Sequence, residues 1–225
     1  AGGERLRVLI LVFAFLILLP TIACGEDKVI KLPQPRFSSD VSVEEALLKR
    51  RSVREYKDEP LTIAEISQIL WSAQGITERR MGFRTAPSAG ALYPLEVYIV
   101  TGKVKDLVPG VYKYRPESHD IVLISSGDKR IDLYRVSLMQ DCIKNAPVVL
   151  VISAIFERTT RKYGERGIRY VYMEAGHSAQ NVYLQCESLG LGTVVVGAFD
   201  DEGVRRVLNL GKGETPLYLI PVGKK

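Results

Sequence analysis

The chain is poor in the residues that build metal sites and covalent cross-links. It carries three cysteines, Cys24, Cys142 and Cys186, and two histidines, His119 and His177, in 225 residues. No cysteine pair has CxxC spacing and the number is odd, which argues against a zinc ribbon or a disulfide framework. The histidines are too few and too scattered for a metal cluster. There is no long Lys/Arg tract interleaved with aromatics, and the net charge of +5 is modest, so a nucleic-acid surface is not indicated. No GxGxxG follows a strand pattern, which removes a Rossmann dinucleotide fold, and no internal repeat is present. What remains is a globular composition, 46% hydrophobic and 25% charged, with a length suited to one domain.

The amino terminus stands apart. Arg5 and Arg7 precede an uninterrupted apolar stretch from Val8 to Leu19, closed by Pro20. This is short for a membrane span, which needs ~20 residues, and fits the core of a signal peptide. Ala23 before Cys24 suggests a lipoprotein-type processing site, so residues 1–24 are assigned to export or membrane tethering. A cytoplasmic location follows if that segment has no such role. Residues 25–40 are assigned to a polar linker, and 41–225 to the folded domain.

Two capping boxes mark helix starts in the domain: Ser42-Val-Glu-Glu45 and Thr62-Ile-Ala-Glu65. Ile63, Ile66, Ile69, Leu70 and Ala73 give the second helix an apolar face, and Gly75 ends it. Strands are predicted at Glu96–Thr101, Val111–Tyr114, Asp120–Ile124, Ala146–Ser153, Thr193–Phe199 and Pro216–Val222. The pair around Pro116–His119 forms a hairpin. Shorter helices are predicted over Asp128–Leu138 and Asp201–Leu208. The longest, Gly167–Leu189, carries the stripe Ile168, Tyr172, Ala175, Ala179, Val182, Cys186 and Leu189. Val171, Met173, Tyr183 and Leu184 make it apolar on further sides, as in a helix that is central or lies between subunits. The fold class is α+β, a central and mostly antiparallel sheet with helices on its faces.

Two segments have the chemistry of a binding site. Lys49-Arg-Arg-Ser-Val-Arg54 places four cations and a hydroxyl in six residues. Arg50, Ser52 and Arg54 alternate, so in extended chain they point one way and suit a phosphate monoester. A solvated charge run is the competing reading. The second segment, Thr85-Ala-Pro-Ser-Ala-Gly-Ala-Leu-Tyr-Pro94, is stripped of bulky side chains around Gly90. Either a flat ligand lies against bare backbone, or the loop packs tightly under a helix.

Arg50-Arg-Ser-Val-Arg54, Pro87-Ser-Ala-Gly-Ala-Leu-Tyr-Pro94, Glu174-Ala-Gly-His-Ser-Ala-Gln-Asn181, and Gly190-Leu-Gly192 with Val196-Gly-Ala-Phe199 occur in one order. Together they resemble the nitroreductase superfamily of FMN-dependent enzymes, and within it the SagB-type dehydrogenase branch, whose lead-in Lys31-Leu-Pro-Gln-Pro35 also matches. The resemblance spans roughly Ile30 to Gly223. It implies that Arg50, Arg51, Ser52 and Arg54 hold the FMN phosphate and ribityl chain. It implies that Pro87, Ser88, Ala89, Gly90 and Leu92 run along the isoalloxazine, and that Gly197 and Ala198 pass near its reactive edge. Lys224 is the candidate for a basic phosphate contact near the carboxyl terminus. Ala91 stands where classical members carry a flavin-bonding Asn. A homodimer, built on the long helix with FMN sites between subunits, is implied as well, as is NAD(P)H as co-substrate.

Other residues are weighed from the sequence alone. His177 is read as an interior hydrogen-bonded histidine rather than a general acid. Glu174 is read as the ion-pair partner of Arg166 or Arg169. Gln180 and Asn181 either reach the flavin edge or cap a strand. Tyr93, Tyr163 and Tyr170 are candidate pocket walls, and Cys142 and Cys186 are buried small hydrophobes. The expected activity is hydride transfer between NAD(P)H or an organic donor and a small electrophilic acceptor. The alternatives are a SagB-type azoline or peptide dehydrogenase and a non-catalytic, membrane-tethered flavin-binding protein.

Overall fold

The computed structural model describes residues 28–225. The segment assigned to export, with Cys24, lies outside the described residues. Within them no helix is long and apolar enough to cross a membrane.

The chain opens with β1 (Val29–Lys31), α1 (Val43–Lys49) and α2 (Ile63–Gln74), then a small hairpin of β2 (Ile76–Glu78) and β3 (Phe83–Arg84). Next come β4 (Leu95–Thr101), β5 (Gly110–Arg115), β6 (Asp120–Ser126), α3 (Arg130–Val136), α4 (Asp141–Asn145) and β7 (Val148–Ile155). The remainder is α5 (Glu157–Tyr163), α6 (Arg166–Ser188), β8 (Leu191–Thr193), α7 (Asp201–Leu208) and β9 (Glu214–Lys224). Seven strands form one sheet in the order β1-β6-β5-β4-β7-β9-β8. Every neighbouring pair in it is antiparallel, as the α+β reading requires.

The alternation of side chains along the central strands divides the core in two. Val97 and Ile99 of β4, with Leu150 and Ile152 of β7, face α2 and α6. Tyr98 and Val100, with Val149 and Val151, face α3, α4 and α7. Helices on both faces explain why β7 is a continuous apolar run rather than an alternating one.

The helix signals in the sequence act as read, with one partial exception. Thr62 and Glu65 complete a reciprocal capping box at α2. At α1 only half forms: Ser42 Oγ accepts from the Glu45 N–H at 3.1 Å. The Glu45 carboxylate turns instead to Lys49 one turn on.

Some expectations need correction. Val29–Lys31, read within the linker, pairs with β6 as an edge strand and brings Leu32 into the core. The strand expected over Thr193–Phe199 is β8, ending at Thr193; beyond it only a Val196–Leu219 bridge persists before the chain turns into α7. Helices α4 and α5 were not read: both are short, and α5, Glu-Arg-Thr-Thr-Arg-Lys-Tyr, has no apolar period. In α6, Ala175, Ala179, Val182 and Cys186 are buried as expected, but in the first turns the buried positions are Gly167, Val171 and Glu174. A Cβ at Gly167 would sit 3.0 Å from the Thr160 backbone, so the close packing of α5 sets this shift. Ile168, Tyr172 and Met173 are left 43%, 55% and 52% exposed.

Candidate active site

The arginine–serine segment runs beside β8. Ser52 bridges Thr193 in parallel, and the Val53 N–H donates to the Thr193 carbonyl at 2.8 Å. Its side chains gather on Tyr183 of α6. The Ser52 hydroxyl lies 3.0 Å from the Tyr183 hydroxyl, the Val195 N–H donates to that same oxygen at 2.9 Å, and the Arg50 guanidinium stacks 5.0 Å from the ring centroid. One phenol thereby ties the segment to the chain leading to Gly197 and Ala198, both exposed. Ala198 is held through its carbonyl, which accepts from Gln140.

Arg54 does not join Arg50 and Ser52 on Tyr183. It is exposed, and the groups that feel its charge are Tyr56 and Cys142, towards the opposite face of the sheet. The convergence expected from alternation therefore covers Arg50 and Ser52 alone. Arg51 donates only to backbone carbonyls, those of Leu48 and Arg50. Among the described residues none of these arginines has a carboxylate within ion-pair distance, whereas Lys49 beside them pairs with Glu45. Guanidinium groups that share no carboxylate suit a phosphate. Lys224 is different: its ammonium is committed to Glu65 of the α2 capping box, so it is not a free cation for a phosphate. Lys225, paired with Glu187, lies on the Tyr183 side of α6.

The proline–serine loop is strained. Gly90, Ala91 and Tyr93 have φ of 63°, 54° and 46°. Left-handed backbone costs ~1–2 kcal/mol at each residue carrying a Cβ, and such strain clusters at functional sites. The loop is pinned from several sides. The Tyr93 N–H donates to Ser88 Oγ at 2.9 Å, Arg158 donates to the Tyr93 carbonyl, and Asn181 donates to the Thr85 carbonyl at 3.2 Å. Asn181 thus fixes the start of the loop. Gly90 takes a φ that favours glycine, and a Cβ there would lie 2.7 Å from the Tyr163 hydroxyl and 3.0 Å from Lys162 Nζ, so these side-chain ends of α5 would have to shift to admit one. Pro87 and Ala91 keep the loop's outer surface open.

That contact brings in two residues the sequence reading gave no catalytic weight. Lys162 and Tyr163, adjacent at the end of α5, place an ammonium and a phenol against Gly90. Tyr163 packs edge-on to Tyr170 at 5.2 Å. Tyr93 and Arg84 stack at 4.6 Å, so all three candidate tyrosines do gather at this loop. The signal available in the sequence was a Lys-Tyr pair before Gly164, indistinguishable from surface helix.

Beneath the loop lies Glu174. It is 2% exposed, its Oε1 has no partner among the described residues, and the cation that acts on it is Arg84 rather than Arg166 or Arg169, contrary to expectation. Burial pushes its carboxyl up to about 7, opposed by the Ser88 hydroxyl and the Arg84 charge. His177 also departs from expectation: it is exposed, not interior. Cys142 and Cys186 are buried, and burial raises both thiols, so neither is an activated nucleophile. No group of acidic, cysteine or histidine side chains among the described residues could hold a metal.

The two halves of the site lie on opposite sides of α6. Tyr183 follows Glu174 by nine residues; that is ~2.5 turns and ~13 Å along the axis, on the far side of the helix. Asn181, which holds the loop, lies on the Glu174 side. Arg50 and Ser52 therefore do not share a crevice with Ser88 and Gly90 inside one chain.

Comparison with known proteins agrees with this architecture. The family model described as Nitroreductase family matches residues 47–224. A protein of Methanocaldococcus jannaschii described as a nitroreductase is 52% identical over 201 residues, covering 89% of this chain and 98% of its own. The microcin B17-processing protein McbC of Escherichia coli is 31% identical over 156 residues, 67% of this chain and 57% of McbC. A solved structure described as a nitroreductase from Ralstonia eutropha superposes with a TM-score of 0.77 at 31% identity, covering 88% of this chain and 90% of that one.

Proposed function

The chain belongs to the nitroreductase family, and from that premise we propose that it is an FMN-dependent oxidoreductase acting as a homodimer. It exchanges hydride between NAD(P)H, or an organic donor, and a small electrophilic acceptor in ping-pong fashion, the donor leaving before the acceptor enters. The observation that carries this is the split of the site across α6. A partner's proline–serine loop facing Arg50 and Ser52 would complete a cleft that neither chain has alone. The exposed Ile168, Tyr172 and Met173 give α6 an apolar flank for that partner.

Bound FMN would supply the hydride chemistry at its ring nitrogen. The residues supply position and charge. Arg50 and Ser52, fixed by Tyr183, hold the phosphate and ribityl chain with Arg51 beside them, whereas Arg54, turned towards the opposite face of the sheet, is left out of that grip. Pro87, Ser88, Ala89, Gly90 and Leu92 line the ring, and Gly197 and Ala198 close the reactive edge. Lys162 places a positive charge beside the loop, and Tyr163 a proton donor at the same point.

The likeness to McbC favours a second reading, a dehydrogenase of heterocycles in a processed peptide. In that reading Lys162 and Tyr163 serve a ring proton of the peptide rather than a small acceptor. Purified protein tests the first claim: it should be yellow, take up FMN, and bleach anaerobically with NAD(P)H. A colourless protein that takes up no added FMN overturns both readings. A yellow protein that NAD(P)H does not bleach shifts the assignment to the peptide dehydrogenase.

A further inference from the structure

A cavity of about 390 Å³ borders the proline–serine loop and has no part in the flavin site. Leu92 and Tyr93 of the loop line it, together with the start of β4 and the tip of the β5–β6 hairpin. That volume suits a small organic molecule rather than a single water.

Gln74 and Arg84 set its polar character. Gln74, the last residue of α2, is fully buried, and the Arg84 side chain is 12% exposed. Arg84 Nη1 donates to Gln74 Oε1 at 3.1 Å, which fixes the orientation of the amide. Gln74 Nε2 therefore presents N–H donors, and it has no partner among the described residues. Arg84 Nε is a buried donor in the same condition. The rest of the guanidinium is held: Nη2 donates to Glu117 at 2.9 Å, and the group stacks on Tyr93 at 4.6 Å. Buried N–H donors are rarely left without an acceptor. Two of them, on hydrogen-bonded side chains that line one cavity, mark the place of an acceptor group.

The surrounding charges decide what that group is. Lys113 pairs with Glu96 at 2.9 Å and Glu214 at 3.2 Å, Arg158 with Glu96 at 2.5 Å, and Arg115 with Asp120 at 2.6 Å. Glu96 and Glu117 both line the cavity and oppose a dianion such as phosphate. A single negative charge spread over two oxygens meets both donors, in the pairing that guanidinium favours. Leu92, Leu95 and Val97 offer the remainder of the molecule an apolar wall.

We infer that this cavity binds a small organic carboxylate with an apolar body, its oxygens taken by Arg84 Nε and Gln74 Nε2. Both donors sit on side chains that their neighbours already fix, so little order is lost on binding. The occupant adjoins the strained loop at Tyr93, whose hydroxyl accepts from the Arg84 N–H at 3.2 Å and whose carbonyl accepts from Arg158 at 3.1 Å. Nothing in this site requires FMN.

Hexanoate is the probe, titrated calorimetrically into the full chain. It should bind saturably, one per chain, and at least about tenfold more tightly than hexanamide, which keeps the apolar body without the charge. Inorganic phosphate should not displace it. Glu117→Gln removes a competing carboxylate from an exposed position and should tighten hexanoate binding several-fold. Gln74→Glu replaces the amide donors with a second carboxylate, which can still pair with Arg84, and should weaken binding at least about tenfold. A purely structural role for Gln74 and Glu117 would not give opposite signs, and melting curves without ligand check that both variants fold. The wild-type protein supplies its own readout: the Arg84 Nε–H and Gln74 amide proton signals in NMR spectra should move downfield as hexanoate saturates. Lack of saturable binding at millimolar hexanoate overturns the inference, as does a preference for phosphate. Binding that leaves those signals unmoved, or that Gln74→Glu does not weaken, overturns it too. A protein that binds hexanoate in this way but takes up no FMN overturns the flavin reading alone.

Discussion

Tyr183→Phe removes one oxygen from the junction of two site segments and leaves the ring. That oxygen accepts from the Val195 N–H at 2.9 Å and lies 3.0 Å from Ser52 Oγ. Val195 is half-buried, so its orphaned N–H costs about 1 kcal/mol, at the low end of the range for an unsatisfied donor. Ser52 is exposed and rebonds to water at little cost. For a chain of this size the melting temperature should drop by about 2–4 °C. The larger effect is on the ligand. With Ser52 untied, one hydrogen bond to the phosphate end is lost or disordered, worth ~1–1.5 kcal/mol and so about tenfold in FMN affinity. The Arg50 stack survives in Tyr183→Phe but not in Tyr183→Leu, which should lose a further ~0.5–1 kcal/mol. Calorimetric titration with FMN on both variants, and on each combined with Ser52→Ala, measures the coupling. If Tyr183→Phe binds FMN like wild type, or if its effect simply adds to that of Ser52→Ala, the phenol does not organise a phosphate site.

Two other expectations concern chemistry and stability. Lys162→Ala and Tyr163→Phe should lower the rate of substrate turnover at least tenfold, as removal of a positioned acid–base group does, while flavin content stays near normal. Equal loss of flavin and rate would make both residues structural supports of Gly90. Asp120, 1% exposed, is held between Lys31 and Arg115, and despite burial these bonds lower its carboxyl to about 2. Such a depressed acid stabilises the fold above the unfolded pKa of ~3.9, and that contribution fades as pH falls towards about 2. Asp120→Asn should therefore cost about 2 kcal/mol at neutral pH in urea unfolding, a gap that closes in acid. A gap that persists at low pH would point to packing rather than charge.

Most of the fold was legible because its signals are local. The Thr62–Glu65 box, the β-branched and aromatic run of β4, and the hairpin around Pro116 each act within a few residues and survive packing unchanged. The failures have physical reasons. The first turns of α6 bury Val171 and Glu174 rather than Ile168 and Tyr172, because α5 packs on Gly167 and no periodicity announces a contact from another element. Val29–Lys31 became a strand because β6 offered an open edge. In the candidate site, residue types pointed to the two segments, but their relation could not be read. Arg54 departs from Arg50 and Ser52, Lys224 is claimed by Glu65, and Lys162 enters only through a contact with Gly90. Glu174 was read as an ion-pair partner because Arg166 and Arg169 stand near it on the same predicted helix, whereas the loop above it was not visible.

The claim that the flavin site is assembled from two chains has a direct test by mixing. One variant, Arg50→Ala with Ser52→Ala, disables the phosphate half; another, Gly90→Val, disables the loop half. Each alone should fold, pair and bind little FMN. Co-refolded or co-expressed, they should yield mixed pairs carrying about one intact flavin site each, read from the flavin absorbance of the isolated mixed pairs. Mixed pairs as empty as either parent would show that both halves must come from the same chain, and would contradict the account.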